Sequence, residues 1–116
     1  MRSTPDARLC AFDWELATIG LPQRDVVELL AFVLTPTTSP NEIIHWVERS
    51  RRLLARQTGR RIDARDWVLG VRAALAELLV DRLATYAMVD RIRAQRFLPR
   101  VVRTWLALYR VFNQPI

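Results

Sequence analysis

Carboxylates near the start of the chain offer the first chemistry to consider. Asp13 and Glu15 flank Trp14, and Asp25 follows shortly after. An aspartate at the end of an apolar strand suits a hard divalent cation, because magnesium takes oxygen ligands, keeps several waters and shares the carboxylate with nucleotide phosphates. An aspartate in the first turn of a helix meets the positive end of the helix dipole instead. Asp13 fits the first description and Asp25 the second, although Asp13 would equally serve as a cap for the turn that follows it. The other reactive residues are few. His45 is the only histidine, set on a polar helical stripe before Trp46, and no catalytic role is expected of it. Cys10 is the only cysteine, so neither a disulfide framework nor a cysteine zinc site is possible. The only glycines are Gly20, Gly59 and Gly70, too scattered for a phosphate-cradling loop, and there is no lysine: all 18 Lys/Arg positions are arginine.

The elements that must position these groups follow from the apolar pattern. Residues 8–13 (RLCAFD) form a short apolar run after the turn-like Ser3-Thr4-Pro5-Asp6, which predicts a strand. A loop leads to Pro22, well placed to open a helix over 22–34. That helix carries Val26, Val27, Leu29, Leu30, Phe32 and Val33 around nearly its whole circumference and is expected to be buried on most sides. A helical region follows over 41–112. Ser39 with Glu42 resembles a capping box, Ile43, Trp46, Val47, Leu53 and Leu54 share a face of the next helix, and His45, Arg49, Arg52 and Arg56 project from the other side. Gly59 closes that helix. Asp63 caps a long one reaching toward Arg93, and Pro99 opens a last one ending near Phe112.

With 116 residues, 51% of them hydrophobic, residues 1–116 are expected to make one domain with its own core. No stretch reaches the roughly 18 uncharged residues of a spanning helix, and residues 67–89, the longest candidate, carry Arg72, Glu77, Asp81 and Arg82. The amino-terminal residues lack the apolar centre of a secretory signal, so a soluble cytoplasmic protein is expected. The net charge is +6, with arginines concentrated over 49–65 and 91–103. Solvated helix faces account for most of this. Nucleic acid is not an expected partner, because no recognised nucleic-acid motif accompanies the charge.

Residues 10–32, CAFDWELATIGLPQRDVVELLAF, resemble the aminoglycoside phosphotransferase and choline kinase superfamily, in which an apolar strand ends in Asp-Trp-Glu before a Gly-Pro-type loop and an Asp-Leu-Ala-like helix start, here Asp25-Val26-Val27. The resemblance implies a mainly α fold, the helical carboxy-terminal lobe of a kinase-like phosphotransferase with one short strand or hairpin remnant. It implies Asp13 as the magnesium ligand through which ATP is held, and Asp25 as a structural anchor that accepts backbone N–H groups of the catalytic loop. Glu15 belongs to the motif without a chemical step of its own. The family's His-Gly-Asp catalytic loop, its metal-binding Asn and its nucleotide lobe have no counterpart in the sequence, and the phosphate-pairing lysine cannot come from a chain without lysine. Arginine is not an equivalent replacement. Phosphoryl transfer needs several groups positioned together, so the chain is expected to be inactive alone and to require a partner supplying the missing lobe. A strand without its neighbour also predicts self-association or marginal stability.

In the resembling enzymes the later helices help to build the acceptor pocket. Trp46, Trp67, Tyr86, Trp105 and Tyr109 are the candidates for it, with ordinary core positions as the plainer alternative. A polycationic aminoglycoside is not expected in a segment that is net basic. Two other readings differ in class. One is a non-catalytic basic helical module in which Arg49, Arg52, Arg56, Arg60 and Arg61 bind an acidic partner or nucleic acid. The other is an independent helical protein whose likeness to kinases is accidental.

Overall fold

The computed structural model describes residues 21–113, which form five α-helices and, among the described residues, no strand. The expected strand over 8–13 lies outside them, as do Asp13 and Glu15. Helix α1 spans Pro22–Val33, α2 Pro40–Thr58, α3 Ala64–Leu78, α4 Ala84–Ile92 and α5 Leu98–Phe112.

Local signals start and stop these helices where the sequence places them. Pro22 opens α1, its missing N–H costing nothing in a first turn. Ser39 Oγ accepts from the Glu42 N–H at 3.2 Å to begin α2, and Gly59 ends it in the left-handed region at φ 67°, which a residue with a Cβ enters only at a cost. Asp63 begins α3 by accepting from the N–H groups of Arg65 and Asp66 at 2.8 and 3.1 Å. The loop between α2 and α3 is pulled against α2 by Arg51, which donates to the Ile62 carbonyl at 2.7 Å while also gripping Glu48.

Those two N–H groups hold the Asp63 carboxyl below the usual aspartate range. A carboxyl that binds its proton less tightly when folded stabilises the fold above its unfolded pKa, and that contribution is lost as pH falls through the lower folded value. Asp63→Asn keeps an acceptor at the cap but does not titrate there. Urea midpoints taken between about pH 2 and about pH 6, a window spanning the ordinary aspartate pKa, are therefore expected to fall less steeply with acid for Asp63→Asn than for the natural sequence. Parallel acid limbs would show that the cap carries no linkage.

The sequence expects one long helix from Asp63 toward Arg93, and the chain does stay helical from Ala64 to Ile92, but a π-helical turn, Leu79–Leu83, interrupts it. Within this turn the Ala84 N–H reaches back to the Leu79 carbonyl. Its effect is to insert one residue into the helical count. Val71, Ala74, Leu75 and Leu78 face inward at regular spacing, and the extra residue brings Leu83 to the core next, so that Asp81 and Arg82 stay on the surface. Beyond the turn α4 contributes no buried residue.

One hydrophobic core joins the helices: Val27, Leu30 and Ala31 from α1, Ile43 and Val47 from α2, Trp67, Val71, Ala74, Leu75 and Leu78 from α3, and Val101, Trp105, Leu108 and Phe112 from α5. Helix α3 is the central element, packing against α1, α2 and α5. Gly70 permits close approach of α1, since a Cβ there would lie 2.2 Å from Gln23 Nε2. Both buried tryptophans satisfy their indole N–H, Trp67 on the Val47 carbonyl at 3.1 Å and Trp105 on the Leu75 carbonyl at 3.0 Å.

Two expectations about burial are corrected. Helix α1 is not enclosed on most sides: Leu29 is 62% and Val33 63% exposed, because α3 and α5 cover only the face carrying Val27, Leu30 and Ala31. On α2, Ile43 and Val47 are buried and Leu54 half-buried, whereas Trp46 and Leu53 stand at the edge of that face, substantially exposed. The apolar arc read from periodicity is wider than the neighbouring helices can cover.

Candidate functional site

Asp25 lies in the first turn of α1 and is exposed. The residue before that helix, Leu21, has no side chain able to cap it, so a carboxylate near these N–H groups is favoured by the helix dipole. Its surroundings are rich in charge. Arg24 is bound by both Glu77 of α3, at 2.7 Å, and Asp81 of the π-helical turn, while Arg82 lies 3.8 Å from Glu28. The Arg24 guanidinium is pushed above its ordinary pKa chiefly by its hydrogen bond to Asp81. Glu28, Glu77 and Asp81 therefore serve to fasten α1 to α3 and the turn after it. No group of three His, Cys, Asp or Glu residues among the described residues is arranged to hold a metal ion, and Glu28, Glu77 and Asp81 already have arginine partners. The described helices do not by themselves fit a magnesium site.

Gln23 is buried beside these pairs. Its amide donates to the Trp67 carbonyl at 3.4 Å, and its Oε1 has no hydrogen-bond partner among the described residues.

The aromatic residues suggested for an acceptor pocket do not line a common one. Trp67 and Trp105 belong to the core, Tyr109 stacks on Trp105 at 5.3 Å, and Tyr86 packs edge-on against Phe32 and Phe97. Trp46 stands apart on α2, beside His45 at 5.1 Å and with the Arg49 guanidinium 5.9 Å from its ring centre. Trp67 and Trp105 take the plainer alternative as core residues, whereas Trp46 and Tyr109 are exposed.

The outer face of α2 gathers a set of polar groups. Asn41, His45, Glu48, Arg49 and Arg52, together with Ile44, line a surface depression of about 340 Å³. Glu48 is bound by Arg51 and, at 3.3 Å, by Arg52, and its carboxyl is held below the usual glutamate range chiefly by the Arg51 hydrogen bond. Arg49, Arg56, Arg60, Arg61 and Arg65 have no carboxylate at ion-pair distance among the described residues. A second depression of about 630 Å³ lies along α3, lined by Ala64, Arg65, Val68, Leu69 and Arg72.

Sequence reasoning missed one bridge. Arg100, in the first turn of α5, donates to the Leu34 and Phe32 carbonyls at 3.0 and 2.9 Å, closing the end of α1. No local signal announces it, since its partners lie far away in the chain. The chain matches no protein family, no curated protein and no solved structure. Among the described residues no helix is long and apolar enough to cross a membrane.

Proposed function

We propose that this chain is the helical carboxy-terminal portion of a kinase-like small-molecule phosphotransferase, active only together with a polypeptide segment that supplies nucleotide binding and the catalytic loop. The observation that carries this reading is the sequence run from Cys10 to Phe32, in which Asp-Trp-Glu and then Gly20 precede a helix opening with Pro22 and Asp25. The placement of α1 supports it: the helix begins at Pro22, leaves Asp25 exposed in its first turn and packs the face carrying Val27, Leu30 and Ala31 into the core. In this reading Asp25 faces a neighbouring loop whose backbone N–H groups it accepts, and the helices behind it form a rigid base. Magnesium and ATP belong to the completed assembly. Asp13 is the residue of this chain assigned to the metal, and no step of the transfer is assigned to the described helices.

The test begins upstream. Translating the DNA immediately before this coding sequence in all three frames is expected to give His-Gly-Asp, a following Asn and a glycine-rich lobe. Unrelated sequence there would remove the reading. With that segment supplied, Asp13→Ala is expected to abolish magnesium-dependent nucleotide binding, measured by calorimetry, while leaving the helical circular dichroism unchanged.

A further inference from the structure

We propose that the outer face of α2 is a docking surface for an acidic, amphipathic segment of a partner protein. The proposal is independent of the phosphotransferase reading and rests on three observations.

The first is a line of basic side chains. At helical spacing His45, Arg49, Arg52 and Arg56 share the side of α2 opposite the buried Ile43 and Val47, and the exposed Arg60 and Arg61 follow in the loop beyond. From His45 to Arg56 it runs about 16 Å along the helix axis at the usual rise. Residues 41–65 hold seven arginines against three carboxylates, and of those acids Asp63 is engaged at a helix cap and Glu48 by Arg51 and Arg52.

The second is the apolar margin. Trp46 is 38% exposed, and Ile44 and Leu53 are also open to solvent on either side of the arginine line. A phosphate backbone would neutralise the arginines and leave these side chains wet. A helix carrying carboxylates along its middle and apolar residues beside them would cover both. Tryptophan and arginine are also the side chains that most often anchor protein interfaces.

The third is a carboxylate already seated there. Glu48 projects from α2 itself and is gripped by two neighbouring arginines, Arg51 making two bonds from its Nε at 3.1 and 3.0 Å. The arginines left without acidic partners offer the same planar fork to carboxylates arriving from outside.

Fluorescence anisotropy on the whole chain tests this with four labelled probes. They are a helical peptide with Glu along one line and Leu beside it, the same peptide with every Glu changed to Gln, a single-stranded oligonucleotide, and phosphatidylserine vesicles. The Glu peptide is expected to bind best and to weaken as salt rises. Arg49→Glu with Arg56→Glu should weaken it at least tenfold by placing like charges together. Trp46→Ala should weaken it severalfold while leaving the salt dependence in place. Equal binding of the Gln peptide, tighter binding of the oligonucleotide or of the vesicles, or no binding at low salt would each overturn the proposal. The comparison of Glu and Gln peptides requires no variant, so it decides the matter even if a substitution disturbs folding.

Discussion

Leu75→Ala is expected to lower the stability of the fold by about 2–5 kcal/mol, the range seen when a fully buried leucine is truncated in a packed core. Leu75 has no exposed surface and sits on α3, the helix that meets α1, α2 and α5. Removing its side chain strips apolar area from the buried state and leaves a void that neighbouring helices can close only by moving together. Its carbonyl, which accepts from Trp105 Nε1, is untouched, so the loss isolates packing from hydrogen bonding. Since a domain of this size is stable by only about 5–15 kcal/mol, the change is a large fraction of the total. Thermal unfolding should move down by at least about 10 °C, while Leu75→Met, which nearly conserves volume, should cost less than about 1.5 kcal/mol. A Leu75→Ala chain that melted with the natural one would mean that α3 is not the centre of the core.

Arg100→Ala is expected to cost about 1.5–3 kcal/mol, the net value of hydrogen bonds to a charged group. The guanidinium spans two carbonyls at the end of α1, and the Leu34 carbonyl also accepts from Thr104 Oγ1 at 3.4 Å. Lysine carries the same charge but a single ammonium, which cannot reproduce the planar fork across Phe32 and Leu34. Arg100→Lys should therefore recover less than half of the loss. Because Arg100 and Thr104 share an acceptor, Thr104→Val and Arg100→Ala are expected to be non-additive in a double-mutant cycle measured by urea unfolding. Full rescue by lysine would show that charge alone matters at this position.

The same arginine shows why part of the structure could not be read in advance. A cation in the first turn of a helix opposes the helix dipole, at a cost of about 0.3–1 kcal/mol, and taken locally it argues against a helix starting there. The two carbonyls that repay it lie on α1, a distant part of the chain. The π-helical turn was equally hidden, since neither proline nor glycine lies within Leu79–Leu83. It exists because inserting one residue lets Leu83 reach the core while Asp81 meets Arg24. Trp46 and Leu53 were expected inside the apolar arc of α2, and the neighbouring helices leave them at its edge, 38% and 42% exposed. The aromatic residues proposed for a pocket went their separate ways for a similar reason.

What the residue order determined alone was local: where helices begin and end, from Pro22, Ser39 with Glu42, Gly59 and Asp63, and which stripe of α2 carries its arginines. These depend on contacts within a few residues, whose geometry the backbone imposes. The tertiary arrangement alone decided which apolar side chains are covered, how Arg24 and Arg100 fasten α1, and that the carboxylates beside Arg24 are occupied by ion pairs. Those outcomes depend on which surfaces meet across long stretches of chain, a choice made by the summed packing of the helices and not by any single neighbour.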